Sequence, residues 1–481
     1  MLEKLTERKI HFVGIKGVGM ASLAIILKEM GYEVSGSDNP ETFVTDKLLE
    51  KAQIPVTFFD SQNIKKKPDL VIVSAAYSQE NPEVKEARKR RLPIKAYSEV
   101  LGVLTQNFQT IAVAGIHGKS TTAALISFLL KKANLDPSFL IGAGEIPSLG
   151  GQSSHAGKGD YFVLEADEYR KSADNSTPKF FDLFPQIEII TSIEMDHPDI
   201  FLSEESVFNA FYKFACRLPR KGFIVLCSDY HKARKLQRSL VDREILSYGL
   251  EKADWQIVNV LENAQETSFY LLHQGENHGP FSLAIPGVAN ILNAAAAIIT
   301  CLRLGIAEKL ICKYLPQFSG VGRRFEKIGQ VDSLIIYDDY AHHPRAVQMT
   351  LEAARHKFPE FKIWCIFQPH TFSRTKEFLK EFAQSFKNAD KVIITDIYAS
   401  EREKEKTVSG FDLAQAIKHH QRSVKFIADP AKIIQEVLDS IGGKALILTM
   451  GAGDIYKLAN KIYKGLQHEK NPKSNGGHPQ N

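Results

Sequence analysis

A glycine-rich turn between an apolar strand and an apolar helix constrains the fold of this chain most strongly. Residues 110–113 form a run typical of a strand, and residues 123–130 form a run typical of a buried helix. The turn between them, residues 114–122, reads Ala-Gly-Ile-His-Gly-Lys-Ser-Thr-Thr. In such a turn the N–H groups at the helix N-terminus bind an anion, a lysine adds a cation, and a serine can hold Mg²⁺. The segment therefore predicts a phosphate loop, with the triphosphate of ATP as its guest.

This loop is shorter than the common phosphate loop. The common loop needs a glycine five places before Gly118, where this chain has Val113, and Gly115 stands three places before instead. The alternative interpretation is a surface turn rich in small residues. Gly-Lys-Ser between a strand and a helix argues against that alternative.

Length and composition limit the classes of function. The 481 residues, 44% apolar and 24% charged, are typical of a soluble globular protein with about three domains. The net charge of +5 is small, and no Lys- and Arg-dense helix with interleaved aromatics is found, so nucleic acid is not an expected partner. The five cysteines lack metal-ligand spacing and are predicted to be buried thiols in a reducing compartment. Without a signal peptide or an apolar run of roughly 18 residues, the protein is expected in the cytoplasm, with no membrane partner.

The first segment, residues 1–105, alternates short strands with helical patterns and predicts a Rossmann-like domain with a parallel sheet. Predicted strands cover residues 10–13, 32–36 and 70–73, and a predicted helix covers residues 21–30.

The turn after the first strand covers residues 14–20, and an acidic residue, Asp38, follows about 20 positions beyond its glycines. The glycines are spaced Gly-x-x-Gly-x-Gly, which is not the dinucleotide order. We therefore expect the diphosphate of a nucleotide-sugar at this turn, with NAD as the alternative.

The second segment, residues 106–326, predicts a central ATP-binding domain of the P-loop ATPase type. A predicted strand at residues 161–164 leads to Glu165, and another at residues 187–190 leads towards His197. Because open α/β sheets bind ligands beyond the carboxyl ends of their strands, both side chains are expected beside the phosphates. Carboxylate and hydroxyl oxygens suit Mg²⁺, so the candidate metal ligands are Ser120, Glu165 and His197. Histidine is an unusual ligand for Mg²⁺, and the alternative for His197 is a structural histidine at a strand end.

The third segment, residues 327–467, repeats the strand–helix alternation and predicts a second Rossmann-like domain. Its predicted strands cover residues 334–337, 363–366, 392–394 and 446–448. Loops that carry histidines follow two of these strands, and the second loop includes Arg374. Such loops are suited to holding a carboxylate, the arginine through a bidentate pair, although they could instead cap helices and brace each other.

Residues 468–481 are polar, contain Gly and Pro, and are predicted to be disordered. The predicted fold class is α/β with three domains: Rossmann-like, central P-loop ATPase-type, and Rossmann-like again.

From about residue 10 to residue 458 the chain resembles the Mur ligases, the cytoplasmic enzymes that build the peptide stem of peptidoglycan. The resemblance implies contacts to the UDP-sugar substrate from Gly14, Gly17, Gly19, Met20, Asp38 and Ser74. It implies ATP contacts from Gly115, His117, Gly118, Lys119, Ser120, Thr121, Asn290, Asn293, Arg324 and Asp339. It further implies that Lys119, Glu165 and His197 are catalytic, the last two as Mg²⁺ ligands.

Motifs of the third segment resemble the family members that add L-alanine to UDP-N-acetylmuramate. They are residues 338–344, 367–375 and 449–455, and they imply an amino-acid site made of Tyr340, His342, His370 and Arg374. The implied reaction phosphorylates the muramoyl carboxylate to an acyl phosphate, which the amine of L-alanine then attacks, releasing phosphate. A monomer or a homodimer is expected.

Several positions depart from the family pattern. Ala289 and Ile116 replace polar residues, while Ser192 and Ser120 replace Asn and Thr. The spacing between Glu165 and His197, with its extra polar stretch at residues 171–179, resembles a sister enzyme that attaches the tripeptide L-Ala-γ-D-Glu-meso-diaminopimelate to UDP-N-acetylmuramate. L-Alanine is the expected substrate, because in this family the third domain chooses it; the tripeptide is the alternative.

Two other classes of protein are also considered. A kinase or plain ATPase would not need the turn at residues 14–20 or the histidine and arginine loops at residues 340–374. A catalytically inactive binding protein would tolerate the loss of Lys119, Glu165 or His197, and all three are present.

Overall fold

The computed structural model of the protein describes residues 8–77, 79–172, 175–198, 200–263, 266–399, 403 and 406–470. The chain divides into two compact units: Met1–Ile285 with Ala289–Val321, and Pro286–Val288 with Gly322–Asn481. The first predicted domain falls in the first unit, and so does the second except for residues 286–288 and 322–326. The domain bounds drawn from the sequence stay predictions.

The first unit begins with a parallel sheet of five strands: β1 (Lys9–Val13), β2 (Glu33–Asp38), β3 (Val56–Phe58), β4 (Leu70–Val73) and β5 (Ile94–Ala96). Their order is β3-β2-β1-β4-β5. The associated helices are α1 (Val18–Glu29), α2 (Asp46–Lys51), α3 (Ser61–Lys65), α4 (Pro82–Lys89) and α5 (Tyr97–Thr105). The order reverses at β1, and this switch point is where an open α/β sheet binds its ligand.

The same unit contains a second sheet of ten strands and a separate hairpin. The strands are β6 (Gln109–Ala114), β7 (Ser138–Leu140), β8 (Ser154–His155), β9 (Tyr161–Glu165), β10 (Arg170–Ser172), β11 (Asn175–Pro178), β12 (Ile187–Ile190), β13 (Phe223–Cys227), β14 (Glu244–Gly249), β15 (Trp255–Glu262), β16 (Thr267–His273) and β17 (Glu276–Leu283). The sheet order is β17-β16-β15-β14-β13-β12-β6-β9-β7-β8, and β10 pairs with β11 alone. The α-helices are α6 (Lys119–Lys132), α7 (Glu204–Ala215), α8 (His231–Ser239), α9 (Val288–Arg303) and α10 (Glu308–Tyr314), and 3₁₀ turns cover Pro147–Leu149, Lys179–Asp182 and Leu315–Gln317.

Strand β6 lies centrally in this sheet, parallel to β12 on one side and β9 on the other. Its interior residues are fully buried, as expected of a strand covered on both faces. The loops after β6, β9 and β12 therefore leave the sheet at one edge. The antiparallel strands β15–β17 were not predicted.

The second unit has six strands: β18 (Glu326–Val331), β19 (Leu334–Asp339), β20 (Lys362–Phe367), β21 (Lys391–Ile394), β22 (Val424–Phe426) and β23 (Ala445–Met450). Their order is β18-β19-β23-β20-β21-β22, parallel except for β18. The helices are α11 (Pro344–Lys357), α12 (Phe372–Glu377), α13 (Leu379–Gln384), α14 (Gly410–Lys418), α15 (Pro430–Ser440) and α16 (Tyr456–Lys470). The predicted α/β class with parallel sheets is confirmed.

The predictions for the C-terminal segment and for the cysteines need correction. Helix α16 continues through Lys470, three residues into the predicted tail, because its apolar face packs in the core of the second unit. Residues 471–481 lie outside the described part of the chain.

Three cysteines are buried as predicted, but Cys216 is exposed at the end of α7. Among the described residues, no helix has the length and apolar character that crossing a membrane requires.

Candidate active site

The phosphate loop joins β6 to α6, and two glycines shape it. Gly115 has a φ of 135° and Gly118 a φ of 82°, conformations that favour glycine. A Cβ on Gly115 would collide with the hydroxyl of Thr191, and a Cβ on Gly118 with the side-chain oxygen of Asn293. Gly118 is also the N-cap of α6 and adds no side-chain hydrogen bond to the helix N-terminus. No N-cap side chain therefore lies between the N-terminus of α6 and an anion.

The residues after β12 hold this loop in place. The Thr191 hydroxyl donates to the carbonyls of Ala114, at 3.1 Å, and of His117. The Ser192 hydroxyl accepts a hydrogen bond of 2.9 Å from the N–H of His117. Sequence reasoning missed Thr191, although its place after a strand adjacent to β6 was a usable signal. Ser192, treated there as a departure, has a direct structural contact with the loop.

Lys119 is the first residue of α6, and its ammonium lies in a charged cluster. Its Nζ donates to the carbonyl of Gly115 at 2.6 Å and lies 2.8 Å from Glu168 Oε2. His197 Nε2 lies 3.2 Å from the other oxygen of Glu168. Glu168 is 1% exposed. The structure thus brings together two of the three predicted catalytic residues, Lys119 and His197, through a carboxylate that sequence reasoning did not single out.

The opposite charges of this cluster stabilise each other's ionised forms. Burial would lower the pKa of the Lys119 ammonium, but the negative charges of Glu168, Asp167 and Glu165, with the hydrogen bond to Glu168, together outweigh burial and raise it. Burial would raise the pKa of the Glu168 carboxyl, but Lys119 and His197 together lower it. Near Glu168, burial opposes ionisation of Asp167 as well, but Lys179 and Lys119 hold its pKa below the ordinary value.

The third predicted catalytic residue, Glu165, ends β9 and has a different neighbour. Its Oε1 accepts a hydrogen bond of 2.7 Å from the N–H of Gly142. Ser120, in the first turn of α6, is 2% exposed. Within the described residues no preformed group of three or more His, Cys, Asp or Glu side chains could hold a metal. The oxygen donors of Ser120 and Glu165 nevertheless suit Mg²⁺, which takes few protein ligands and completes its shell with phosphate and water.

The two predicted asparagines lie on α9. Asn293 is 7% exposed, accepts a hydrogen bond of 3.2 Å from the Thr122 hydroxyl, and lies against Gly118. Asn293 therefore packs against the phosphate loop. Asn290 lies one turn earlier on the same helix.

The predicted nucleotide-sugar turn lies at the carboxyl end of β1. Gly14 has a φ of 82°, and a Cβ there would collide with the ring of Tyr77. Asp38, the last residue of β2, accepts hydrogen bonds from the N–H of Lys16 at 2.7 Å and from the hydroxyl of Tyr77 at 2.8 Å. Ser74 follows β4, and its N–H donates to the last carbonyl of β1. The structure brings Gly14, Asp38 and Ser74 to one edge, and adds Tyr77, which was missed.

The rest of this turn differs from the prediction. Helix α1 begins at Val18 rather than at residue 21, so Gly19 and Met20 lie in its first turn. The cause is Gly17, whose extended N-cap conformation lets its carbonyl accept the N–H of Ala21 at 2.8 Å. The Met20 side chain packs in the hydrophobic core at 4% exposure.

In the second unit, the four predicted amino-acid contacts form a row. The ring of Tyr340 lies 5.1 Å from that of His342, and His342 lies 5.8 Å from His370. His370 Nδ1 is 3.1 Å from a terminal nitrogen of Arg374, which is 4% exposed. Tyr398, which sequence reasoning missed, stacks on His370 at 5.9 Å.

Arg324 and Asp339 lie close to this row. The Arg324 guanidinium lies 4.7 Å from the centre of the Tyr340 ring. Asp339 accepts N–H bonds from Phe325 at 2.6 Å and from Ala341 at 2.7 Å. Burial raises the pKa of Asp339 despite the positive charge of Arg324. Their assignment to ATP stays a prediction.

Comparisons with known proteins agree along the whole chain. The Mur ligase family catalytic domain matches residues 9–109, the Mur ligase middle domain residues 113–301, and the Mur ligase glutamate ligase domain residues 323–453. A UDP-N-acetylmuramate–L-alanine ligase of Desulfitobacterium hafniense (strain Y51) is 40% identical over 456 residues, which cover 94% of this chain and 99% of the relative.

Solved structures agree with the sequence comparisons. The UDP-N-acetylmuramate-alanine ligase MurC of Thermotoga maritima has a TM-score of 0.81 at 27% identity, covering 96% of this chain and 99% of its own. A murein peptide ligase of Psychrobacter arcticus shares the fold, with a TM-score of 0.70 at 24% identity over 95% of this chain and 98% of its own. Because three Mur ligase domains match in order between residues 9 and 453 and full-length relatives are up to 40% identical, this chain belongs to the Mur ligase family.

Proposed function

We propose that this protein is an ATP-dependent ligase that joins L-alanine to the carboxylate of UDP-N-acetylmuramate in cytoplasmic peptidoglycan precursor synthesis. The names of the full-length relatives support this choice of substrates. The observation that carries the chemistry is the position of Lys119, whose ammonium is fixed at the uncapped N-terminus of α6 beside Glu168 and His197.

In this proposal the phosphate loop binds the triphosphate of ATP. The first N–H groups of α6 and the Lys119 ammonium stabilise the charge on the transferring phosphoryl group. Ser120, Glu165 and His197 would hold Mg²⁺, which supplies further neutralisation of phosphate charge when bound. Glu168 contacts both Lys119 and His197 and would keep them in place.

The reaction proceeds in two displacement steps. A carboxylate oxygen of UDP-N-acetylmuramate attacks the γ-phosphorus of ATP, so that an acyl phosphate forms and ADP leaves. The amine of L-alanine then attacks the acyl carbon, and the tetrahedral intermediate collapses to the amide with loss of inorganic phosphate. Gly14, Asp38 and Ser74 are proposed to bind the UDP moiety, and the row that ends at Arg374 to bind L-alanine.

Replacing Lys119 tests this proposal. Lys119→Ala should lower phosphate release in the presence of ATP, UDP-N-acetylmuramate and L-alanine by at least about 100- to 1000-fold, because it removes a charge that acts on the transition state. Lys131→Ala, at the exposed C-terminal end of the same helix, is the matched control and should keep normal activity. Near-normal phosphate release from a folded Lys119→Ala protein would contradict the proposal.

A further inference from the structure

The described parts of the polar stretch at residues 171–179 lie in a hairpin that packs against the loop after β9. Strands β10 and β11 pair antiparallel, with Arg170 opposite Pro178. The chain then enters the 3₁₀ turn Lys179–Asp182, where the N–H of Lys179 donates to the carbonyl of Tyr169 at 2.9 Å. The next N–H, of Phe180, donates to the carbonyl of Asp167 at 3.1 Å. The hairpin therefore closes on residues 167–169, which we name the acidic loop.

The side chain of Lys179 adds a charged contact to these backbone bonds. Its Nζ lies 2.7 Å from Asp167 Oδ2, and Asp167 Oδ1 accepts the N–H of Tyr169 at 3.2 Å. The Lys179 side chain is 22% exposed and that of Asp167 is 40% exposed, so the lysine end of the ion pair is the better shielded from solvent. Both oxygens of Asp167 are thus occupied, one by the hairpin's lysine and one by the acidic loop itself.

The 3₁₀ turn that carries Lys179 is firmly anchored. Phe180 is fully buried and stacks on Phe214 of α7 at 4.4 Å. The carbonyl of Asp182 lies so close to Gly102 of α5 that a Cβ there would collide with it. The backbone of Lys179 is therefore a fixed point from which its side chain can hold the acidic loop.

Between Asp167 and Tyr169 lies Glu168, the carboxylate that contacts both Lys119 and His197. The ring of Tyr169 lies 4.8 Å from that of His197. We propose that Lys179 is a positioning residue: by pairing with Asp167 it fixes the acidic loop and so holds Glu168 against Lys119 and His197. This inference rests on the proposed function, since the positioned groups are those assigned to the phosphates of ATP.

The chain offers a matched control in the same hairpin. Lys171 pairs with Asp182, away from the acidic loop. Lys179→Met removes the cation but keeps both backbone hydrogen bonds and the packing of Phe180. It should lower ATP affinity and kcat by about 10- to 100-fold, as loss of a residue that orients a binding group typically does. Lys171→Met should change both by less than about twofold, and Lys179→Arg should restore most of the loss.

A double-mutant cycle with Asp167→Asn tests the route through Asp167. If Lys179 acts through this carboxylate, the Asp167→Asn/Lys179→Met double variant should be no worse than the poorer single variant. Additive losses would overturn the proposal, as would equal losses in Lys179→Met and Lys171→Met. A lower melting temperature in Lys179→Met with unchanged kcat and ATP affinity would show a structural role only, and would also overturn it.

ATP binding by calorimetry and phosphate release with all three substrates are measured for every variant. If the wild-type protein binds ATP but forms no product from UDP-N-acetylmuramate and L-alanine, the proposed function fails. The comparison of ATP affinities among the variants still decides the role of Lys179. If the wild-type protein is active and Lys179→Met matches it in both measurements, the inference about Lys179 alone fails.

Discussion

Arg374 is the residue on which the assignment of the amino-acid site depends. It lies in the first turns of α12, is almost fully buried, and contacts His370. Such an arginine either binds the carboxylate of an incoming amino acid or braces its own loop. Both roles agree with the contacts, and they differ in what a conservative substitution does.

Arg374→Lys separates the two roles. If Arg374 binds L-alanine, the KM for L-alanine should rise strongly, because an ammonium cannot reproduce the paired geometry of a guanidinium. The loss should be about 1.5–3 kcal/mol, or about 10- to 150-fold in kcat/KM for L-alanine. The KM values for ATP and UDP-N-acetylmuramate should barely change. A bracing role would instead lower the melting temperature and shift all three KM values alike.

Individual residues of the site were predictable where a short sequence motif sets their position. Gly115, Gly118 and Lys119 stand at a turn between a strand and a helix, and a phosphate-binding turn is the motif that requires glycines and a lysine in this order. Glu168 could not be chosen over Glu165 in the same way. Glu165 ends β9 and Glu168 follows three positions later, and only the folded chain shows that Glu165 meets Gly142 while Glu168 meets Lys119.

At the scale of elements, buried parallel strands were the most predictable. The bounds of β4 and β12 match the predicted residues 70–73 and 187–190, because a continuous apolar run marks a strand covered on both faces. Strands β15–β17 were missed, although buried and half-buried residues alternate along most of β16. Their antiparallel pairing is a contact between segments that no local pattern specifies.

A histidine bridge joins two elements of the first unit. His155 on β8 lies 3.2 Å from Glu29 on α1 and 3.5 Å from Asp136. The nearby Glu29 carboxylate raises the pKa of His155 although burial opposes it. Burial would raise the pKa of Glu29, but the His155 ring and the hydrogen bond from the N–H of Ala156 outweigh burial and lower it. Each partner of the bridge thus favours the charged form of the other.

This bridge predicts a pH-dependent stability difference. Because the folded protein raises the pKa of His155, its contribution is complete below the ordinary value of 6.5 and is lost as pH rises through the raised value. His155→Gln should thus cost about 1 kcal/mol at pH 6 and almost nothing at pH 9. Denaturant unfolding of both proteins at the two pH values measures this. A cost that is equal at pH 6 and pH 9 would contradict it.

At the scale of the whole molecule, the order of the three Mur ligase domains was predictable, because each segment carries its own strand-end motif. The division into two compact units was not. The first two sheets share one hydrophobic core, which includes Leu23 of α1, Val100 of α5 and Leu125 of α6. Apolar residues mark a core in the sequence but do not say which sheets share it.

The identity of the amino substrate must also be judged from the whole chain, because different segments resemble ligases with different amino substrates. The hairpin segment resembles the tripeptide ligase, and the third segment resembles the alanine ligases. Full-length relatives named as UDP-N-acetylmuramate–L-alanine ligases favour L-alanine.

The most direct test measures phosphate release by the wild-type protein with ATP and UDP-N-acetylmuramate, comparing L-alanine with the tripeptide L-Ala-γ-D-Glu-meso-diaminopimelate as the acceptor. We expect kcat/KM for L-alanine to exceed that for the tripeptide by at least about 100-fold, a difference of about 2.7 kcal/mol in transition-state stabilisation. Release that requires the tripeptide, or that proceeds without any acceptor, would contradict the account.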